Sequence, residues 1–129
     1  VVSRPFEWRC TESETMLDPA FNIRLGAHYL RWLMARFEKE GVSKKQQIRF
    51  ALAAYNAGVG HIMDARELAD KTGRDKNLWF GNVEQAILLK KDRKWHAKTR
   101  FGFCRADQVI NYVSRIQTRF DVYVRHVPF

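Results

Sequence analysis

From residue 23 onward the apolar positions recur at helical intervals. Ile23, Ala27, Leu30, Met34 and Phe37 are separated by four, three, four and three residues, which places them on one helical face. Asp18-Pro19 supplies the start: a carboxylate at the cap position, then a proline whose φ is already helical. Gly41 supplies the stop. Ser43-Lys44-Lys45-Gln46 has the spacing of a capping box and predicts a second helix, with Ile48, Leu52 and Tyr55 facing inward and Gly58 and Gly60 ending it. A third helix is predicted from about Val59 to Thr72, with Ile62, Ala65 and Ala69 inward and Gly73 as its stop. Asn82 through Gln85 repeats the cap pattern ahead of a short fourth helix over "AILLK". Val109, Val113, Ile116 and Phe120 mark a last helix from Asp107 to about Val122. Period-two alternation occurs only in the tail, "VYVRHV", and the first 17 residues show no period. The pattern predicts an all-α domain of about five helices with short connections.

The second predicted helix ends in an unusual way. Residues 51–60 read "ALAAYNAGVG": small and aliphatic residues lead into Tyr55 and Asn56, and two glycines follow. A helix end lets the polar tips of Tyr55 and Asn56 leave the core. Gly58 and Gly60 permit positive φ and close backbone approach. One aromatic face, one hydroxyl and one amide are suited to gripping a sugar by stacking and hydrogen bonding. The same residues also fit a tyrosine packed at a helix hinge, which spacing alone favours.

Composition narrows the class. With 129 residues, 46% hydrophobic and 29% charged, the chain suits one domain with one core. No apolar run approaches the roughly 20 residues of a membrane helix. The opening "VVSRPFEWRC" has neither an initiator Met nor an apolar signal core, as expected of a fragment or mature segment whose export signal lies outside it. Net charge is +9, and residues 90–105 carry seven Lys or Arg against one Asp. That run is either a solvated basic loop or a surface for an anionic partner. Cys10 and Cys104 form no CxxC pair, and with four scattered His they give no metal-ligand spacing, so no metal or cofactor is expected. A disulfide and two free thiols both fit.

Three motifs, in order and with fitting gaps, carry a resemblance. "ALAAYNAGVG" resembles the AYNAG-x-G motif of lytic transglycosylases of the soluble-lytic-transglycosylase type, lysozyme-like enzymes that cut the peptidoglycan strand. "LDPAFNIRLGAHYL" is similar to that family's DP-x-x-NI helix, and "VINYVSRI" to its closing NYV helix. "MDARELADKTG", "GNVEQAILLK" and "FGFCR" look most like the branch named membrane-bound lytic transglycosylase F. The resemblance covers roughly residues 16–120. It divides the chain into an irregular arm, 1–17, and the C-terminal part of a lytic transglycosylase domain, 18–129, incomplete at its N-terminus. It implies a lysozyme-like fold and cleavage of the MurNAc-GlcNAc bond with formation of 1,6-anhydro-MurNAc. The implied place is the cell envelope facing the periplasm. Tyr55 and Asn56 match the motif tyrosine and the groove asparagine, and Tyr112 matches the cleft tyrosine of the last helix.

The family's chemistry uses one carboxylic acid, a Glu in an ES-x-W/F context roughly thirty residues before the DP helix. It protonates the leaving oxygen, unlike the two-carboxylate glycosidases, and is kept protonated by apolar burial. Glu12-Ser13 is an ES pair, but it stands only six residues before Asp18 and no GLMQ-type segment intervenes. Glu12 is therefore read as a chance match, with Glu7 and Glu14 less supported still. The acid is unassigned, and this chain alone is expected to be inactive. A first helix that would cover residues 19–40 is likewise unmatched, which predicts an exposed apolar face, self-association, or an arm folded over that face.

Two readings from other classes stand beside this one. A noncatalytic peptidoglycan-binding module needs only the groove. A basic helical nucleic-acid-binding module would use the Lys and Arg interleaved with Trp95, Phe101 and Phe103. As an envelope protein, the chain would turn residues 90–105 toward lipid, teichoic or peptide anions. Trp8, Trp32, Trp79 and Trp95 could each stack on a sugar; Trp32 is expected in the core or groove wall, Trp79 and Trp95 as structural plugs, and His28 and His61 at the surface.

Overall fold

The computed structural model describes residues 19–126, and all of the described regular structure is helical. Helix α1, Pro19–Lys39, opens on its proline and closes through a Schellman turn. Val42 N–H donates to Phe37 O (3.1 Å), Gly41 N–H to Glu38 O (3.0 Å), and Gly41 has φ +88°. Val42 and Phe37 are both buried, the apolar contact that accompanies this turn. Helix α2, Lys44–Ala57, is the central element and packs against α1, α3 and α6. Helix α3, Val59–Lys71, follows after a single glycine. A kinked turn over Trp79–Val83 leads to α4, Glu84–Leu88, which runs into a tight turn at Leu89–Lys91. Helix α5, Arg93–His96, is capped by Asp92, whose carboxylate accepts from Lys94 N–H (2.9 Å). Helix α6, Ala106–His126, closes the chain.

The core forms where α2 meets its neighbours. Phe37 and Phe50 stack at 5.4 Å, and Trp79 meets Phe50 edge-on at 5.9 Å. Leu33, Ile62, Val83, Ile87, Val109 and Val113 complete it. Each fully buried side chain of this size contributes about 1.5–3 kcal/mol over an exposed one. Trp79 is thus the plug its place in a connecting segment predicted. Arg66 ties the outer connection to the body. It is buried, lies over the Phe50 ring, and donates to Lys76 O (3.0 Å), Asn77 Oδ1 (2.7 Å) and Glu40 Oε1 (3.4 Å).

Several expectations are corrected. The all-α pattern of about five helices is met, with six helices among the described residues; the loop expected over the basic segment is corrected, since α5 lies inside it. The tail read as strand-like is helical through His126. Ser43 makes no side-chain cap; the Gln46 amide oxygen instead accepts from Trp79 N–H (3.1 Å), satisfying a buried donor. Asn82 likewise serves the turn, accepting from Asp75 N–H (3.0 Å) and donating to Phe80 O (3.1 Å). Ile23, Ile48 and Phe120, expected inward, are exposed, Ile23 at 73%. Ile23, near the start of α1, is therefore not packed into the described core. Cys10, Trp8, Glu7, Glu12 and Glu14 lie outside the described residues.

Candidate functional site

Helix α2 ends at Ala57 because Gly58 takes φ +104°, and its N–H closes the last turn on Ala54 O (2.7 Å). That ending places Tyr55 and Asn56 at a helix terminus, half-buried and exposed respectively. Gly60 behaves differently from the expectation. It lies within α3 and does not end α2. Its missing side chain makes room for Phe101, three of whose ring carbons would sit 2.8 Å from a Cβ at that position.

Asn56 opens onto a trough between the α2–α3 junction and α6. One depression of about 430 Å³ is lined by Asn56, Gln108, Asn111, Tyr112, Arg115 and Arg119, among others. A second, about 360 Å³, shares Asn56 and Gln108 and extends past His61, Phe103 and Arg105. A third, about 420 Å³, shares Asn111, Arg115 and Arg119 and adds Ser114 and Thr118. The shared residues place the three depressions side by side along α6. Asn56 and Tyr112 therefore meet in one depression.

Tyr55 stands behind that surface and does not line it. Its ring lies 5.7 Å from Tyr29, and its hydroxyl approaches the backbone of α1, where a Cβ on Gly26 would be 3.0 Å from it. Burial, and after it the neighbouring Tyr55, hold the Tyr112 phenol above its ordinary value of 10.0. Tyr112 is thus a neutral hydroxyl across the physiological range, able to donate and accept.

The wall beyond His61 is pinned by a buried ion pair. Lys90, with no exposed surface, donates to Asp64, which also accepts from Phe101 N–H (2.9 Å) and Arg100 N–H (3.3 Å). This fixes residues 100–104 against α3. His61 is half-buried, correcting its expected exposure, and its Nδ1 is enclosed without a hydrogen-bond partner. Burial first, then the Lys90 ammonium, push its imidazole below the ordinary 6.5, with Asp64 pulling the other way. Burial raises the Cys104 thiol, which leaves it protonated.

The family model for the transglycosylase SLT domain matches residues 4–78, so it takes in the α2 ending and the first wall of the trough. The chain belongs to the transglycosylase SLT domain family. The SLT match begins inside the stretch 1–17 that was expected to be an arm. The SLT chain is also similar to proteins named membrane-bound lytic murein transglycosylase F. It is 40% identical to that of Vibrio vulnificus strain YJ016 over 111 residues, which is 86% of this chain and 21% of the relative. It is 41% identical to that of Photobacterium profundum over 101 residues (78% and 19%), and 37% identical to that of Shewanella pealeana over 108 residues (84% and 22%). The chain spans about a fifth of the length of the curated relatives it matches.

The SLT chain's trough residues on α6 were not found by sequence reasoning, apart from Tyr112. Gln108, Asn111, Arg115 and Arg119 recur at helical spacing, so the stripe was present in the sequence. Asp64 and Lys90 carried no comparable signal. None of the residues lining the three depressions is a carboxylate. Among the described residues, no helix is long and apolar enough to cross a membrane.

Proposed function

We propose that this chain is part of a peptidoglycan lytic transglycosylase of the cell envelope, facing the periplasm, and that its trough holds the glycan strand. One observation carries the reading. In a chain of the SLT family, Asn56 and Tyr112 converge on one depression with the amides of Gln108 and Asn111. Neutral donors and acceptors beside an aromatic ring suit the hydroxyls and acetamido groups of amino sugars. Tyr55 adjoins this site, its ring against Tyr29, its hydroxyl near Gly26 of α1 and its electrostatic influence felt by Tyr112.

The reaction needs a carboxylic acid to protonate the glycosidic oxygen, after which the C6 hydroxyl of the same sugar closes the anhydro ring. The trough lining supplies no such group, so the described residues bind and orient while the acid lies elsewhere in the protein. Without it a contribution of about 10²–10⁴ in rate is missing.

The test compares two proteins on purified peptidoglycan sacculi. The 129-residue chain is expected to co-sediment without releasing 1,6-anhydromuropeptides, and the full-length protein to release them. Asn56→Ala and Tyr112→Phe should each weaken co-sedimentation by about two- to tenfold, the worth of one hydrogen bond. Failure of the full-length protein to release anhydro products, with no retention of either protein, overturns the proposal. Release by the 129-residue chain that survives Glu12→Gln overturns the unmatched acid alone.

A further inference from the structure

The trough's polar lining is not neutral along its length. Its α6 side carries Arg115 and Arg119, four residues apart and therefore one turn above the other on the same face. Arg105 stands at the opposite end, beside Phe103 and His61. From Gln108 to Arg119 the stripe runs roughly 16 Å along the helix at 1.5 Å per residue.

Among the described residues, Arg105, Arg115 and Arg119 form no ion pair. The ion pairs among the described residues are Arg66–Glu40, Lys90–Asp64 and Lys91–Asp107, so Asp107, on α6 itself, is engaged by Lys91. The other acid of α6, Asp121, accepts from Gln117 (3.0 Å), whose oxygen in turn accepts from Arg49. A concave surface lined by one sign of charge raises the local concentration of the opposite sign. Arginine in particular matches a carboxylate with two parallel N–H donors.

A peptidoglycan strand is uncharged along its sugar backbone apart from its lactyl-linked peptide stems, and those stems carry carboxylates. Resting on the glycan-strand reading above, we infer that the Arg115–Arg119 stripe holds the carboxylates of peptide stems. The trough therefore selects stem-bearing strands over stem-free ones. The neutral groups at Asn56 and Tyr112 grip the sugar, and the arginines read what hangs from it.

The experiment measures binding of the 129-residue chain to two soluble glycan preparations: strands with intact stems, and the same strands after an amidase has removed them. Wild type is expected to prefer stem-bearing strands and to show the steeper salt dependence on them, because a stem carries several carboxylates whereas the amidase leaves a single lactyl carboxylate on each MurNAc. Arg115→Gln and Arg119→Gln should each lower affinity for stem-bearing strands by about two- to fivefold, the range of a solvent-facing ion pair. Affinity for stem-free strands, which keep only the lactyl carboxylate, should fall less, and Arg115→Lys should restore most of the preference. Arg93→Gln, on α5 outside the trough, serves as the control and should change neither.

Equal affinity of wild type for both preparations, at any salt, overturns the inference without touching the sugar-binding reading. Equal losses on both preparations in the arginine variants also overturn it, because the arginines would then serve the sugar or the fold. Absence of binding to either preparation defeats the glycan reading itself. A single-stranded oligonucleotide that binds tighter than stem-bearing strands, and loses affinity in the same variants, assigns the stripe to nucleic acid instead.

Discussion

The pair Asp64–Lys90 offers the sharpest test of how the trough wall is held. The two residues are 26 apart, on α3 and after α4, and both are buried. Their surroundings are unequal. Asp64 accepts from Lys90 and from two backbone N–H groups, at Phe101 and Arg100, whereas Lys90 has Asp64 as its side-chain partner. Asp64→Asn keeps the shape, removes the counter-ion of a fully enclosed ammonium, and turns an NH₂ toward donors. Breaking a buried pair in this way costs about 3–5 kcal/mol. Lys90→Met leaves the carboxylate with both backbone donors and fills the same space with an apolar chain. Its cost is that of one lost partner, about 1–3 kcal/mol. The double variant should cost less than the sum by about 0.5–3 kcal/mol, because the second change no longer strands a charge. Urea unfolding of the four proteins at neutral pH measures all three quantities from midpoint and slope. Against a total of about 5–15 kcal/mol, these differences are large. An Asp64→Asn cost below about 1 kcal/mol, the value for a solvent-screened pair, would refute the reasoning. A Lys90→Met cost equal to or above that of Asp64→Asn would do the same.

Gly60→Ala should destabilise by about 1–3 kcal/mol, because the Phe101 ring must move out of overlap with the new methyl group. In a Phe101→Ala background the same change should become stabilising by up to about 1 kcal/mol, since Gly60 sits in an ordinary helix and alanine is the better helix former; thermal melts of the four proteins read the sign change. The depressed His61 pKa makes the folded chain resist protonation there, so its contribution is fully present above 6.5 and is lost as pH falls through the folded value. Stability should thus decline between neutral pH and pH 5, and His61→Gln should flatten part of that decline. An NMR titration placing the His61 midpoint at or above 6.5 contradicts this account.

Helix boundaries were legible where a single residue sets them. Pro19, Gly41, Gly58 and Gly73 act through their own backbone geometry, and each stands where the sequence placed it. Burial was less legible, for a reason of length. Helices α1 and α6 have 21 residues each and α2 has 14, so they span about 32 Å and 21 Å. The longer helices overhang the shorter one, and their outer apolar positions, Ile23 and Phe120, lie beyond any described partner. Periodicity states which residues share a face, not how far along it a neighbour reaches. The cap patterns failed for a related reason. Gln46 can serve the start of its own helix or a distant buried N–H, and an unsatisfied Trp79 donor would cost about 1–3 kcal/mol.

The site was legible at Asn56 and Tyr112 and obscure at the arginines, because charge was read by position along the chain. Residues 90–105 hold seven cations within sixteen positions, and as a sequence they fit either a solvated basic loop or a surface for an anionic partner. Folded, the run is divided. Lys90 is enclosed with Asp64, Lys91 is paired with Asp107, Lys98 lies over Trp95 and Arg100 over Phe101. Four of the seven are thus engaged, two by carboxylates outside the run and two by aromatic rings inside it. Arg115 and Arg119 share a helical stripe with Gln108 and Asn111 in the sequence, but nothing there shows that this stripe looks into a depression. They line a concavity and meet no carboxylate among the described residues. What an anion encounters is the field within the trough, set by which cations the fold leaves uncompensated. Neutralising Arg115 and Arg119 should therefore alter strand selection more than neutralising a larger number of lysines and arginines in the basic run.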